Sequence, residues 1–596
     1  MPRTVLFPAL TVASIAVATT LSTPTSALAV NGWYACPSSQ DDALLDPFAF
    51  ECARVEVPLC HPGVCESDKT IELFVRRLLA DSGDDGTPSM WFLQGGPGAS
   101  SVSMEEIMGT LSNSTSGAVN LYTMDHRGTG RSNYLECVAA QALADGSPGE
   151  TSITLEELPE CAQDVLFEMD DQSAAYSVTN AAKDLVFLLD TIHGVDASPN
   201  VFVYGVSYGT YLVERVMHLA PSQVRGYILD GVVAEAGADP STRMTFSHWN
   251  QNLQAPTQRL LELCAQQPDS CPLALSSDED VTDQVLALYD TLDAQDPSTN
   301  SCTTLLTWYF GVELPSQALR QLFSDMVTYS EFRPAIPSVL ARAQRCSDSD
   351  YAELEALLDP LWKTLEGVAS IASLDILADG DLIYLLITLS ELYAWPLPLP
   401  EELDQLYWDG LFTLSPDVIP SLSEHCLLSG NLGTVNLLPD VAEVCQEVAA
   451  KLQADGEDLA AYASPVFLYE HDEYWNTTAS IPANTSVLMF NGGLDFQTPW
   501  EFGRSQFEAM ALEDEASSQK MLVEMEFGGH GTGVSPTTPW DSTNCGIQIM
   551  ASFVLSGGDT RSVATDCLDQ LPDFVFDDAV FLYLLSYFTN SSSSSY

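Results

Sequence analysis

A serine attacks a carbonyl carbon when a nearby base takes its proton and a carboxylate orients that base. Three residues of this chain are spaced for such a relay. Ser207 lies at the centre of Gly205-Val206-Ser207-Tyr208-Gly209, after the apolar run Val201-Phe202-Val203-Tyr204 and before a helix-like stretch over 210–218. Strand, glycine-flanked turn and helix together hold a serine on strained backbone, exposed at the end of a sheet. The pentapeptide alone arises by chance in a chain this long, so its surroundings decide the reading.

The base follows by elimination among eight histidines. His61, His126 and His193 precede Ser207 in early loops, and His218 lies in the helix after it. His248 and His425 fall in a helical middle region, and His471 in a polar turn. His530 alone follows the last strand-like run, inside Gly528-Gly529-His530-Gly531, where glycines leave the imidazole room to reach sideways. The acid is expected on the loop after the preceding strand, where Gly492-Gly493-Leu494-Asp495 exposes Asp495. Asp230, at the end of the strand after the serine's helix, is the competitor. The developing oxyanion needs two backbone donors. Tyr208 supplies one, and Gln94-Gly95-Gly96-Pro97-Gly98 the other, with Gly96 preferred and Gly95 next.

These residues need a scaffold that brings distant loops to one rim. Strand-like runs occur at 70–79, 90–94, 121–124, 201–204, 227–229, 486–490 and 520–527, with helical patterns at 180–192, 210–218 and 545–555. Alternating strands and helices predict an α/β fold: a mostly parallel sheet with helices on both faces and functional loops at the C-terminal strand ends. The glycine-rich segments fall at those ends. Residues 236–464 differ, with amphipathic helical patterns such as 281–292, 317–328 and 381–392, and read as a large inserted helical cap. The expected organisation is a leader over 1–29, a core over 30–235, the cap over 236–464, a second core part over 465–575 carrying Asp495 and His530, and a C-terminal tail over 576–596.

Taken together, Gln94-Gly95-Gly96-Pro97-Gly98, Asp125-His126-Arg127-Gly128-Thr129-Gly130-Arg131-Ser132, Gly205-Val206-Ser207-Tyr208-Gly209-Thr210, Asp495 and Gly529-His530 resemble the prolyl aminopeptidase family of α/β-hydrolase peptidases, closest to secreted tripeptidyl-aminopeptidase-like enzymes. The resemblance covers most of the mature chain, including Cys52-Ala53-Arg54-Val55-Glu56-Val57-Pro58. It departs at Gln94, where the family often has histidine. It implies an α/β-hydrolase core and release of short units from free peptide N-termini, without metal or organic cofactor. It also implies an anionic site for the substrate ammonium, for which Glu391, in a Ser390-Glu391 step, is the candidate and Glu235 the weaker one. Arg127 and Arg131 are read as braces of their loop. A carboxylic-ester hydrolase using the same triad is the alternative, and a non-catalytic binding protein of the same fold the more distant one.

Charge and cysteines bound the rest. The chain has 83 acidic and 21 basic residues, a formal net charge of −62, which repels phosphate backbones and excludes nucleic acid as a partner. The N-terminus reads as an export signal: Arg3, a mostly apolar stretch over 5–21, and Ser26-Ala27-Leu28-Ala29 before cleavage. No later apolar run is long enough for stable membrane insertion. Fourteen cysteines in an exported chain predict disulfides, with Cys264–Cys271, Cys426–Cys445 and Cys545–Cys567 as local pairs. Asn113, Asn476, Asn484 and Asn590 open glycosylation sequons.

Overall fold

The computed structural model describes residues 30–37, 48–84, 86–137, 153–195, 198–235, 243–296, 298–358, 380–414, 419–432 and 442–591. The leader expected over 1–29 lies outside them. Among the described residues nine strands form one sheet: β1 (Tyr34–Ala35), β2 (Glu51–Pro58), β3 (Thr70–Leu78), β4 (Ser89–Leu93), β5 (Asn120–Met124), β6 (Val201–Val206), β7 (Val224–Asp230), β8 (Ser486–Gly492) and β9 (Gln519–Met525). Their order is β1-β2-β3-β5-β4-β6-β7-β8-β9. The β1–β2, β2–β3 and β3–β5 pairings are antiparallel; all later ones are parallel. The chain reverses its direction of travel across the sheet at β4, flanked by β5 on one side and β6 on the other. Such a switch point opens a crevice at the carboxyl strand ends. With antiparallel strands at one edge, the exchange of β4 and β5, and a nucleophile turn after β6, this is the α/β-hydrolase fold.

Strand composition explains why both faces are covered. In β6, Val201 and Val203 pack on one side with the helices Val178–His193 and Tyr208–Leu219. Phe202, Tyr204 and Val206 pack on the other with the helices Met104–Ser114 and Cys545–Leu555. A strand apolar at every position cannot face water on either side.

Between β7 and β8 lies the helical segment. Its first half, including Leu260, Leu306, Phe323 and Leu340, builds a core of its own, which also takes in Leu494 and Phe496 beside Asp495. Its second half packs Leu382, Ile383, Leu422 and Val448 into the larger core cluster. The helix expected over 381–392 is α-helical only over Asp381–Ile387 and continues as a π-helical turn, Thr388–Leu392. The stretch expected to be a C-terminal tail carries a helix, Asp578–Ser591. It docks on the insertion through Asp578, which accepts from Arg342 at 2.6 and 3.0 Å, and through buried Phe581.

All fourteen cysteines are paired: 36–52, 60–65, 137–161, 264–271, 302–346, 426–445 and 545–567. Seven such bonds fit an oxidising compartment. No helix among the described residues is long and apolar enough to cross a membrane.

Candidate active site

Ser207 stands between β6 and the helix Tyr208–Leu219 with φ 57° and ψ −129°, a region side chains seldom occupy and functional turns often do. The flanking glycines are sterically required. A Cβ at Gly205 would lie 2.2 Å from the Gly209 carbonyl oxygen, and one at Gly209 would lie 2.6 Å from that of Leu93. The Ser207 N–H donates to the Asp230 carbonyl at 3.0 Å, tying the turn to the end of β7.

His530 and Asp495 meet. His530 Nδ1 is 3.0 Å from Asp495 Oδ2 and 3.2 Å from Oδ1. Asp495 is 1 % exposed, and its own loop holds it: Oδ1 accepts the N–H groups of Gln497 and Thr498, each at 2.8 Å, and Oδ2 accepts the Thr498 hydroxyl at 2.7 Å. That hydroxyl also lies 3.1 Å from His530 Nδ1. Burial works against charge on both groups. The His530 contact and the Thr498 hydrogen bonds nonetheless hold Asp495 below the usual carboxylate range. Burial would lower the His530 pKa, but Asp495, aided by Asp230, carries it above its ordinary value.

The histidine loop abuts the serine turn. A Cβ at Gly231, the residue after Asp230, would lie 2.9 Å from the His530 ring, and one at Gly531 would lie 3.4 Å from Val206 Cγ2. Among the described residues the Ser207 hydroxyl makes no hydrogen bond, so the serine–imidazole link is open in this state. Catalytic hydrogen bonds of unliganded sites often tighten only with substrate. Asp230, the competing acid, acts on His530 only through its charge and spends its hydrogen bonds on other groups: it accepts the Tyr204 hydroxyl at 2.8 Å and the Gly533 N–H at 3.0 Å, and burial lifts its pKa to about 6.

Of the two expected oxyanion donors, Tyr208 is the first residue of its helix, so its N–H belongs to the donors a helix cannot satisfy internally. Gly95 is the glycine nearest the serine; a Cβ there would lie 2.8 Å from Ser207 Cβ. Its N–H, however, donates to the Gln94 side-chain oxygen at 2.8 Å, and the Gln94 amide in turn reaches the Ser103 hydroxyl. The Gly96 N–H makes no hydrogen bond among the described residues.

Glu391 is buried in a charged cluster beneath the helix that follows Ser207. Its Oε2 accepts from Arg215 at 2.7 Å and from Tyr211 at 2.8 Å, and its Oε1 from Tyr469 at 2.8 Å. Its charge is therefore already compensated by Arg215. Glu235 lies in the same cluster, 3.8 Å from Arg215, with neither carboxylate oxygen hydrogen-bonded among the described residues. Burial lifts its pKa to about 8, and that of neighbouring Glu214 well above the usual range. Arg127 and Arg131 brace their loop. Arg127 bonds Asp184 at 2.6 and 2.7 Å and reaches main-chain carbonyls, and Arg131 bonds Asp125 at 2.9 Å.

Beside the acid loop a cavity of about 630 Å³ opens, lined by Pro499 and Phe502, by Trp395 and Trp475, and by Arg243 and His248 of the insertion. Arg215 and the tyrosines around Glu391 are contacts of a candidate residue that the sequence does not disclose, and so is the bond from Thr498 to Asp495. Only Thr498 had a signal, since an Asp followed three residues on by Thr-Pro marks a self-bonded turn.

No protein-family model matches the chain. No curated protein matches it either. Solved structures do. An open-form lipase is 11% identical, with 85% of this chain and 99% of that one covered and a TM-score of 0.30. An esterase from Exiguobacterium antarcticum is 11% identical over 81% and 96%, with a TM-score of 0.28. A laboratory-evolved variant of potato epoxide hydrolase is 10% identical over 78% and 91%, with a TM-score of 0.27. Strand order and turn geometry, not these similarities, define the fold here.

Proposed function

We propose that this chain is a secreted serine exopeptidase that releases short units from free peptide N-termini. Ser207 attacks the scissile carbonyl, and His530 Nε2 takes its proton. Asp495, on Nδ1, fixes the tautomer and stabilises the imidazolium. The Tyr208 and Gly96 amides bind the oxyanion. His530 then returns the proton to the leaving amine, and water hydrolyses the acyl-enzyme. One observation carries the reading: a strained serine turn and an Asp495-bound histidine lie against each other at one rim of the sheet. His530 acts as base only when neutral, and its raised pKa moves the loss of activity on the acid side to higher pH than an ordinary histidine would give.

Preference for a free N-terminus is supported by the family-like motifs and by the carboxylates at Glu214, Glu235 and Glu391. Glu235 is the group poised to respond to a cation. A buried carboxylic acid that is neutral near pH 7 ionises when an ammonium arrives beside it. Glu391, already neutralised by Arg215, contributes through that network.

The test is turnover of a matched pair of peptide anilides, one with a free amine and one N-acetylated, alongside mass spectrometry of a digested peptide pool, with Ser207→Ala as control. Loss of the acetylated substrate and trimming from N-termini support the proposal. Preference for small acyl esters over both anilides indicates an ester hydrolase with the same triad. Cleavage in the interior of long peptides defeats the exopeptidase reading.

A further inference from the structure

One buried cation touches both loops of the acid–histidine pair. Arg333 opens a short turn of the insertion, Arg333–Ala335, and is 3 % exposed. Its Nε donates to the Val327 carbonyl at 2.7 Å. Its Nη1 is buried without a hydrogen-bond partner, and no carboxylate lies within ion-pair distance of the guanidinium among the described residues. The guanidinium carbon lies over the ring of Phe496, the residue after Asp495, 5.5 Å from its centroid. It also lies against the backbone before His530: a Cβ added at Gly529 would meet Nη1 and Nη2 at clashing distance. Burying an unpaired guanidinium is costly, and a methionine or leucine would fill the same space without that cost. The charge is therefore the part of the side chain that needs explaining.

The groups facing His530 supply the explanation. Asp495 and Asp230 act on the imidazole as negative charges, and Arg333 as the opposing positive one. Two carboxylates alone would favour the imidazolium, which cannot accept the serine proton. We propose that Arg333 is a positioning residue: its guanidinium seats the Asp495–Phe496 and Gly529–His530 turns against each other and supplies a positive charge that partly offsets the two carboxylates acting on His530. The insertion thereby takes part in the chemistry as well as bordering the cavity beside the acid loop. This rests on His530 being the base, but on neither peptide nor ester specificity.

The experiment measures the rate of Ser207 labelling by a fluorophosphonate from pH 4 to 9 for wild type, Arg333→Gln and Arg333→Lys, with circular dichroism to verify folding. An unlabelled wild type would mean that the triad reading itself has failed. If wild type is labelled, Arg333→Gln is expected to move the acid-side midpoint up by about one unit, slowing labelling below the midpoint about tenfold, while Arg333→Lys stays near wild type. An unchanged midpoint in Arg333→Gln overturns the inference alone, as does a shift of equal size in Arg333→Lys. Should Arg333→Gln fail to fold, Gly529→Ala replaces it. The added methyl displaces the guanidinium, so the midpoint must rise, and an unchanged one overturns the inference.

Discussion

Asp495→Asn isolates the charge on the candidate acid while keeping its shape. The carboxylate stands 3.0 Å from His530 Nδ1. At an effective dielectric constant of about 20, a unit negative charge at that separation stabilises the imidazolium by about 5.5 kcal/mol. That charge forms only as the serine proton moves, so the stabilisation falls on the transition state. At roughly 1.36 kcal/mol per decade it corresponds to about four decades in rate. The amide adds a second defect. Its NH₂ group, facing Nδ1, favours the tautomer that places the proton on Nε2, where it blocks acceptance from Ser207. We expect kcat/KM on a peptide anilide to fall about 10⁴-fold, with a normal circular dichroism spectrum and KM changed much less than kcat. Asp230→Asn, which alters a carboxylate bonded to Tyr204 and Gly533, should cost about tenfold or less. A folded Asp495→Asn enzyme within tenfold of wild type, or a larger loss in Asp230→Asn, would refute the assignment.

Three further outcomes follow from the same contacts. Because Glu235 is held near a pKa of about 8 from an ordinary 4.5, the folded state keeps a proton that the unfolded state loses above pH 4.5. Its contribution to stability is full below that pH and drains away up to about pH 8, by up to roughly 1.4 kcal/mol per unit; Glu235→Gln should flatten that slope and raise the melting temperature at pH 8. Arg215→Met leaves Glu391 buried without its cation and should cost about 3–5 kcal/mol in urea unfolding, part of which the double variant with Glu391→Gln recovers. Gly209→Ala places a methyl 2.6 Å from the Leu93 carbonyl oxygen and should abolish fluorophosphonate labelling even where soluble protein is obtained.

Local chemistry carried most of the sequence reading. The serine turn could be read because Gly205 and Gly209 have no alternative there. The helix Cys545–Leu555 appeared at its expected bounds, and the β6 run sits where its apolar residues place it. Strand β2 was not anticipated as a strand. Its residues Arg54 and Glu56 point outward between buried Ala53, Val55 and Val57, but the alternation is short and rich in charge. The helix Asp578–Ser591 was hidden for a different reason: its stability comes from Arg342 and the insertion core, contacts that exist only after folding. The same holds at the site. Asp495 and His530 lie in marked glycine turns, whereas Arg215, Tyr211 and Tyr469 reach Glu391, and Arg333 reaches Phe496 and Gly529, across long stretches of chain that no spacing rule relates. The Cys60–Cys65 bond, only five residues apart, was not among the expected local pairs.

The pairing of the cysteines has a consequence for how the molecule is made. Each cysteine is joined to the very next one along the chain, at separations of 5 to 44 residues, and no bridge encloses another. A polypeptide threaded N-terminus first into an oxidising space can therefore complete every crosslink before the following thiol emerges. Inserting one additional cysteine early in the sequence would put each later partner out of step.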